Sequence, residues 1–217
     1  MIDCTIIIFT KAPVPGKTKT RLIPRIGSQR AAKLHAELVL HTLRTAKQTQ
    51  SSRMELWCTP STRHPFFQDC SHQFGITLHT QHGDDLGQRM SHAIDSALQH
   101  SRYIILVGTD CPSLTANTLQ QASLALQQGH DAVIAPATDG GYVLLGVTRS
   151  SPDLFDSIAW GSDSVLQTTR NRLKKLGWRW YELAEHRDID RPEDLEQLSA
   201  NQTFRSLLTM TNSDFPY

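Results

Sequence analysis

Tyr103-Ile104-Ile105-Leu106-Val107 runs without a polar interruption into Gly108-Thr109-Asp110-Cys111-Pro112-Ser113-Leu114. A nearly continuous apolar run marks a strand buried on both faces, as in the middle of a parallel sheet. Open α/β sheets bind ligands in the crevice beyond the carboxyl ends of their strands. Asp110 stands at such an end. There it is either a ligand for Mg²⁺ or Mn²⁺, hard cations that take oxygen donors, or a turn residue.

Six more short apolar or β-branched runs follow the same pattern: 5–10, 54–59, 76–80, 132–135, 143–147 and 178–183. Longer stretches with helical spacing lie between most of them. Residues 28–48 open at Ser28, a candidate N-cap, and put Leu34, Leu38, Val39 and Leu43 on one face. Residues 87–100 align Met90, Ile94, Ala97 and Leu98, and 115–128 start at a Thr115 cap and carry Leu119, Ala122 and Leu126. Residues 162–176 carry Val165, Leu166, Leu173 and Leu176, and a last helix is expected from Pro192, with proline in the first helical position. The alternation predicts an α/β fold, a mostly parallel open sheet with helices on both faces. Run 143–147 follows 132–135 after a turn holding Gly140-Gly141, which leaves room for one antiparallel strand. One domain is expected over 1–200, with a polar C-terminal extension over 201–217.

A chain of 217 residues suits one such domain. The 22 Lys and Arg residues nearly cancel the 21 Asp and Glu residues, so the broad positive field of a nucleic-acid binder is missing. No apolar run approaches the ~20 residues of a membrane span, and the short run at 6–9 has neither the length nor the basic flank of a signal peptide. A cytoplasmic protein is expected. Cys4, Cys58, Cys70 and Cys111 are widely spaced with no Cys-x-x-Cys pair, the pattern of reduced thiols rather than a zinc site.

Three further segments follow apolar runs. After the first comes Lys11-Ala12-Pro13-Val14-Pro15-Gly16-Lys17-Thr18-Lys19-Thr20-Arg21-Leu22. Its four cations, stiffened by two prolines and turned at Gly16, suit phosphates: Arg grips two oxygens in a fork and Lys acts as a point charge. It is not a Walker A loop, because Pro13 and Pro15 have no N–H to offer a phosphate. Asp139-Gly140-Gly141-Tyr142 is either a close approach of backbone to ligand, with Asp139 as a base, or an Asp-Gly turn. In His186-Arg187-Asp188-Ile189-Asp190-Arg191-Pro192, Asp188 and Asp190 face one side of an extended chain. Either supplies a second metal ligand, or Asp190 caps the helix that follows. Gly83-Asp84-Asp85-Leu86-Gly87-Gln88-Arg89-Met90 leads into a helix, with Asp84 or Asp85 as cap and Arg89 within reach of phosphate. Trp160 either stacks on a sugar or base, or packs.

Taken together, residues 9–22, 85–90, 108–112, 139–142 and 188–195 resemble the DUF2064 family, in the same order and over about residues 4–199. That family is described as glycosyltransferase-like, with a nucleotide-diphospho-sugar transferase (GT-A) fold, and some members are named for arsenosugar biosynthesis. The resemblance implies a nucleotide over the first loop, with Lys11, Lys17 and Arg21 near its phosphates; Gly16 in that loop and Arg89 are further phosphate-binding candidates. It implies Asp110 as a metal-binding residue, with Asp188 or Asp190 as a second ligand for Mg²⁺ or Mn²⁺. Because Cys111 follows Asp110, there is no literal Asp-x-Asp motif.

The function expected is transfer of a sugar from a nucleotide-diphosphate donor to a small-molecule acceptor. Asp110 and Asp139 are the catalytic candidates, and Gly140, Gly141, Tyr142 and Trp160 the sugar or acceptor region. The alternative is nucleotidyl transfer from a nucleoside triphosphate, since Lys19-Thr20-Arg21-Leu22 also resembles phospholactate guanylyltransferases. A non-catalytic nucleotide-binding module is a third reading.

Overall fold

Alternate residues of the first strand, β1 (Cys4–Lys11), enter different cores. Ile6 and Ile8 pack on one side with Val39, Leu43, Phe67 and Leu119. Ile7 and Phe9 pack on the other with Met90, Ile94, Leu166 and Trp178. A strand covered on both faces needs no polar alternation, which accounts for its unbroken apolar sequence. The computed structural model describes residues 3–49, 53–200 and 204.

β1 pairs in parallel with β2 (Arg53–Thr59) and with β4 (Tyr103–Val107), and β2 with β3 (Thr77–Thr80). β6 (Tyr142–Val147) runs antiparallel between β4 and β5 (Ala132–Pro136), and β7 (Trp180–Glu182) lies parallel to β5 at the far edge. The sheet order is β3-β2-β1-β4-β6-β5-β7. A short α1 (Ile23–Ile26) leads into α2 (Ser28–Lys47), which shares one face with α3 (Pro65–Phe74) and α5 (Ala116–Gln127). α4 (Leu86–Leu98) and α6 (Val165–Lys175) cover the other. The mostly parallel sheet with helices on both faces is as the alternation predicts, and the antiparallel member is the run after Gly140-Gly141.

Local chemistry accounts for the departures. α3 has no counterpart among the expected helices, yet Pro65 holds its first turn and Gly75, at φ 66°, ends it in the left-handed region. Ser28 is already helical and caps nothing; Gly27, with φ 80°, makes the entry turn. Thr115 and Asp85 do cap, accepting from the backbone N–H of Thr118 and of Gln88. The segment Pro192–Ala200 is a 3₁₀ helix rather than an α-helix. Asp194, 7% exposed, accepts from the backbone N–H groups of Asp190 and Arg191 and tightens that entry.

This last segment is anchored by a third cluster, in which Ile189, Leu195, Leu198 and Phe204 pack on Leu22, Ile26, Leu34 and Leu38. Of the expected extension over 201–217, only Phe204 lies within the described residues. Among the described residues, no helix is long and apolar enough to cross a membrane. All four cysteines are buried and none forms a disulfide, and burial pushes the Cys58 thiol up to about 12.

β7 is held to α6 by a two-pronged pair: Arg170 Nε and Nη2 donate to Glu182 Oε1 and Oε2 at 2.9 and 2.7 Å. Arg170 holds the Glu182 carboxyl below its ordinary value, against the opposing effect of burial. A depressed folded value means stabilisation that is present above the unfolded value and lost as pH falls through the folded one. About a third of each side chain is exposed, so solvent screening keeps the pair small. Arg170→Ala is expected to cost about 0.5–1 kcal/mol at pH 7. The difference from the parent protein should fade as pH drops below about 4.5. Urea unfolding at both pH values checks it; a difference that persists in acid would mean the contribution is packing rather than charge.

Candidate active site

Because β6 runs antiparallel, its first residues reach the same edge as the last residues of β1, β4, β5 and β7. Four loops therefore meet there: 12–22, 108–115, 137–141 and 183–191. Backbone bonds tie them together. Thr138 N donates to His186 O at 3.0 Å, and Ile189 N donates to Asp110 O at 2.8 Å.

The first loop divides its cations. Lys11 and Lys17 are exposed, while Lys19 is buried. The loop turns on its own backbone, with Val14 N donating to Ala12 O at 2.8 Å and Lys17 N to Val14 O at 3.0 Å. Thr18 Oγ1 also donates to Val14 O at 3.2 Å. Lys19 then takes a left-handed conformation, φ 48° and ψ 42°, uncommon outside glycine and asparagine. This bend turns its side chain inward, where Nζ lies 2.9 Å from Asp110 Oδ1 and donates to Ile189 O. One ammonium thus joins the first loop to the second and the fourth.

His35, 5% exposed, backs the same carboxylate with Nδ1 3.9 Å from Asp110 Oδ1. Its Nε2 lies 2.8 Å from Lys11 O. A carbonyl only accepts, so Nε2 carries the proton and Nδ1 is bare. Burial lowers the imidazole's pKa, with Asp110 opposing, so the ring adds no charge at neutral pH. Cys111 is buried with the core and also lines the cavity that Asp110 faces.

Asp110, Asp139 and Asp188 line one cavity of about 190 Å³, walled also by Gly108, Gly141 and Tyr142. Burial raises the Asp188 carboxyl, and the negative charge of Asp139 raises it further. Lys19 is close enough to lower it and Asp110 to raise it. The cavity thus holds more carboxylate than its one buried ammonium offsets. Among the described residues, no three His, Cys, Asp or Glu side chains converge tightly enough to hold a metal ion by themselves. Two carboxylates completed by substrate phosphates are a common arrangement for Mg²⁺, and Asp110 with Asp188 fits it.

The other sequence candidates separate around this cavity. Asp190 is not in it: it pairs with exposed Arg21 and lines, with Asp139 and Asp188, a neighbouring polar cavity of about 500 Å³. Arg89 Nε donates to Gly83 O at 2.9 Å, which fixes the guanidinium against its own loop. Asp139 is exposed and makes a local turn, Oδ1 accepting from Gly141 N at 2.9 Å. Gly140, at φ 89°, makes a close approach to backbone: a Cβ there would lie 2.1 Å from Asp163 O. Leu166 N donates to Gly140 O at 2.8 Å across the same contact. Tyr142 lines the carboxylate cavity, and Trp160 lies beyond it, its indole against Gly87. Sequence reading did not single out Lys19 from its neighbours, nor His35. The signals were faint: His35 is a polar residue next to core Leu34 in α2, and Lys19 is one of four cations in a loop.

The DUF2064 family, described as uncharacterised proteins conserved in bacteria, matches residues 42–162. A Desulfovibrio desulfuricans G20 protein, provisionally named a nucleotide-diphospho-sugar transferase, superposes with a TM-score of 0.85 at 31% identity, covering 96% of this chain and 94% of that one. A cytidylyltransferase from Leptospira borgpetersenii superposes at 0.59 with 15% identity, covering 100% of this chain and 91% of its own. A Mycobacterium tuberculosis H37Rv protein in complex with manganese gives 0.54 at 15% identity, covering 91% and 98%. The last two share the fold. No curated protein matches the sequence.

Removing the Lys19 ammonium leaves the buried Ile189 carbonyl without that donor and Asp110 without its cation. An unpaired buried acceptor costs about 1–3 kcal/mol, and Asp110, half exposed, recovers part of its loss from water. Lys19→Met should therefore lower the stability to urea unfolding by roughly 1–3 kcal/mol, with Lys17→Met as a near-neutral control. Equal effects from the two would show that the buried bridge contributes nothing special.

Proposed function

As the chain belongs to the DUF2064 family and has the nucleotide-diphospho-sugar transferase fold, we propose that it is a metal-dependent glycosyltransferase using a nucleotide-diphosphate sugar donor. The observation that carries this reading is the cavity of Asp110, Asp139 and Asp188 at the strand ends, tied to the cationic loop through the Lys19–Asp110 pair. Asp110 and Asp188 would hold Mg²⁺ or Mn²⁺, whose charge would help stabilise a diphosphate leaving group. Asp190, engaged with Arg21, would not be among the ligands.

Lys11 and Lys17 face solvent and lie against the phosphates as they enter. Arg21 and Arg89 have further N–H donors to share beyond those used in the protein. Asp139 orients the acceptor: Oδ1 is occupied by Gly141 N, and Oδ2 takes the acceptor's hydroxyl proton. The hydroxyl oxygen bonds to the anomeric carbon while that carbon's bond to the diphosphate oxygen breaks. The electron pair leaves with the nucleoside diphosphate, whose charge the loop cations balance.

Nucleotidyl transfer is the competing reading, and the first loop disfavours it. Loops that cradle a triphosphate do so with free backbone N–H groups. Here Pro13 and Pro15 have none, and those of Val14 and Lys17 are used within the loop. Side-chain cations on a stiff loop suit the more modest charge of a diphosphate leaving group.

Calorimetric titration with nucleotide sugars, nucleoside diphosphates and nucleoside triphosphates, with and without Mn²⁺, tests the proposal. A nucleotide sugar should bind only with Mn²⁺, and Asp110→Asn should weaken it at least tenfold, about 1.4 kcal/mol. Asp190→Asn should leave the Mn²⁺ requirement intact. Binding restricted to one triphosphate would transfer the assignment to nucleotidyl transfer. No nucleotide binding in the presence of Mn²⁺ would end both readings.

A further inference from the structure

A second cavity, of about 200 Å³, shares Gly108, Asp139, Gly141, Tyr142 and Val143 with the carboxylate cavity but holds only one of its three carboxylates, Asp139. Its remaining wall is mainly Phe9 and Leu106 from the sheet, Leu86 and Met90 from α4, and Trp160 and Val165 on the way into α6. Leu86 is 42% exposed, an uncommon degree for a large apolar side chain here: among the described residues only Leu124 and Tyr181 are exposed to a similar extent. The polar atoms of two wall residues, Tyr142 Oη and Trp160 Nε1, are themselves buried, so what these residues present to the cavity is ring carbon.

Such a wall selects its occupant. A polyhydroxylated ring would leave most of its hydroxyls unpaired there, at about 1–3 kcal/mol each. An aromatic ring loses nothing, gains contact with Phe9, Tyr142 and Trp160, and is of the right size, since an apolar cavity of about 150 Å³ holds benzene. A hydroxyl on the ring can meet Asp139 at the open side. We propose that this cavity seats an aromatic group of the acceptor, its reactive oxygen turned toward Asp139, so that the substrate class is a compact aromatic alcohol or phenol rather than a second sugar. The proposal rests on the transferase reading for the word acceptor; the cavity's preference for an aromatic ring does not.

Neutral probes keep the two separable, since they need neither metal nor phosphate. In ¹⁵N spectra, the Trp160 indole N–H, assigned with Trp160→Phe, reports on the cavity during titrations with phenol, myo-inositol, uridine and cytidine. Phenol should shift it saturably, with a Kd at least tenfold below that of myo-inositol and of either nucleoside. Leu86→Glu puts a carboxylate at the mouth while favouring the first turn of α4, so the fold survives. It should raise the phenol Kd at least fivefold. The proposal is overturned if myo-inositol binds as well as phenol, if phenol leaves the Trp160 signal unmoved, or if a nucleoside saturates the shift at lower concentration, which would make this the base's subsite. Mn²⁺-dependent nucleotide titration of the same sample reads the transferase assignment separately: its failure with phenol binding intact removes the acceptor role alone, and the reverse removes the aromatic preference alone.

Discussion

A single buried ammonium organises the end of the sheet where the loops meet. Lys19 comes from the loop after β1, Asp110 from the loop after β4, and the Ile189 carbonyl from the segment after β7. Without that cation, the aspartate and the carbonyl would be acceptors side by side with nothing to share. The arrangement asks for an uncommon backbone, since a lysine at φ 48° pays a steric penalty that a glycine would not. What offsets it is the ion pair and the close packing around it: Thr18 and Leu22, on either side of the bend, are both buried. The same bend separates the loop's cations by role, leaving Lys11 and Lys17 in water and taking Lys19 out of it.

The architecture of the sheet decides which acids accompany that pair. An all-parallel sheet would bring only loops leaving its strands to this edge. With β6 reversed, the β5–β6 hairpin turns here instead, and Asp139 arrives together with the first residues of β6. Gly140 makes that turn possible by letting its backbone lie against Asp163, where any side chain would collide. The turn therefore joins the hairpin to the segment that bears Trp160. One glycine links the wall of the carboxylate cavity to the wall of the apolar one, so the two cavities hold their relative position through backbone rather than through mobile side chains.

Much of the fold was legible because burial on both faces removes polar alternation, and the apolar runs then appear without gaps. The strand ends followed, and with them the edge at which Asp110, Asp139 and Asp188 meet. Legibility failed where a contact distant in sequence outweighed local pattern. Pro192 and the acids after it promise an α-helix, but Asp194 folds back on Asp190 and Arg191, and the segment tightens into 3₁₀ turns. α3 was legible in principle from Pro65 and Gly75, but its sequence is polar enough to pass for a connection. Lys17 and Lys19 are two residues apart in a cationic loop, and no composition argument separates them. The turn at Val14 and the left-handed residue decide which is buried.

The same reasoning separates the two aspartates of the last loop. On an extended strand, residues two apart face one side, which makes Asp188 and Asp190 equivalent by spacing. They cease to be equivalent once their cations are counted. Asp190 has a private partner in Arg21, exposed and free to follow it. Asp188 has none of its own among the described residues: it is partly buried, feels the charge of Asp139 and Asp110, and is influenced by a lysine already engaged by Asp110. A carboxylate held in such company is stabilised by a further positive charge far more than one already paired, because the cation relieves repulsion as well as adding attraction. On the proposed metal-dependent reading, the affinity for a divalent cation would therefore reside in the acids that the protein leaves uncompensated, and Lys19 would limit it by supplying part of the compensation itself.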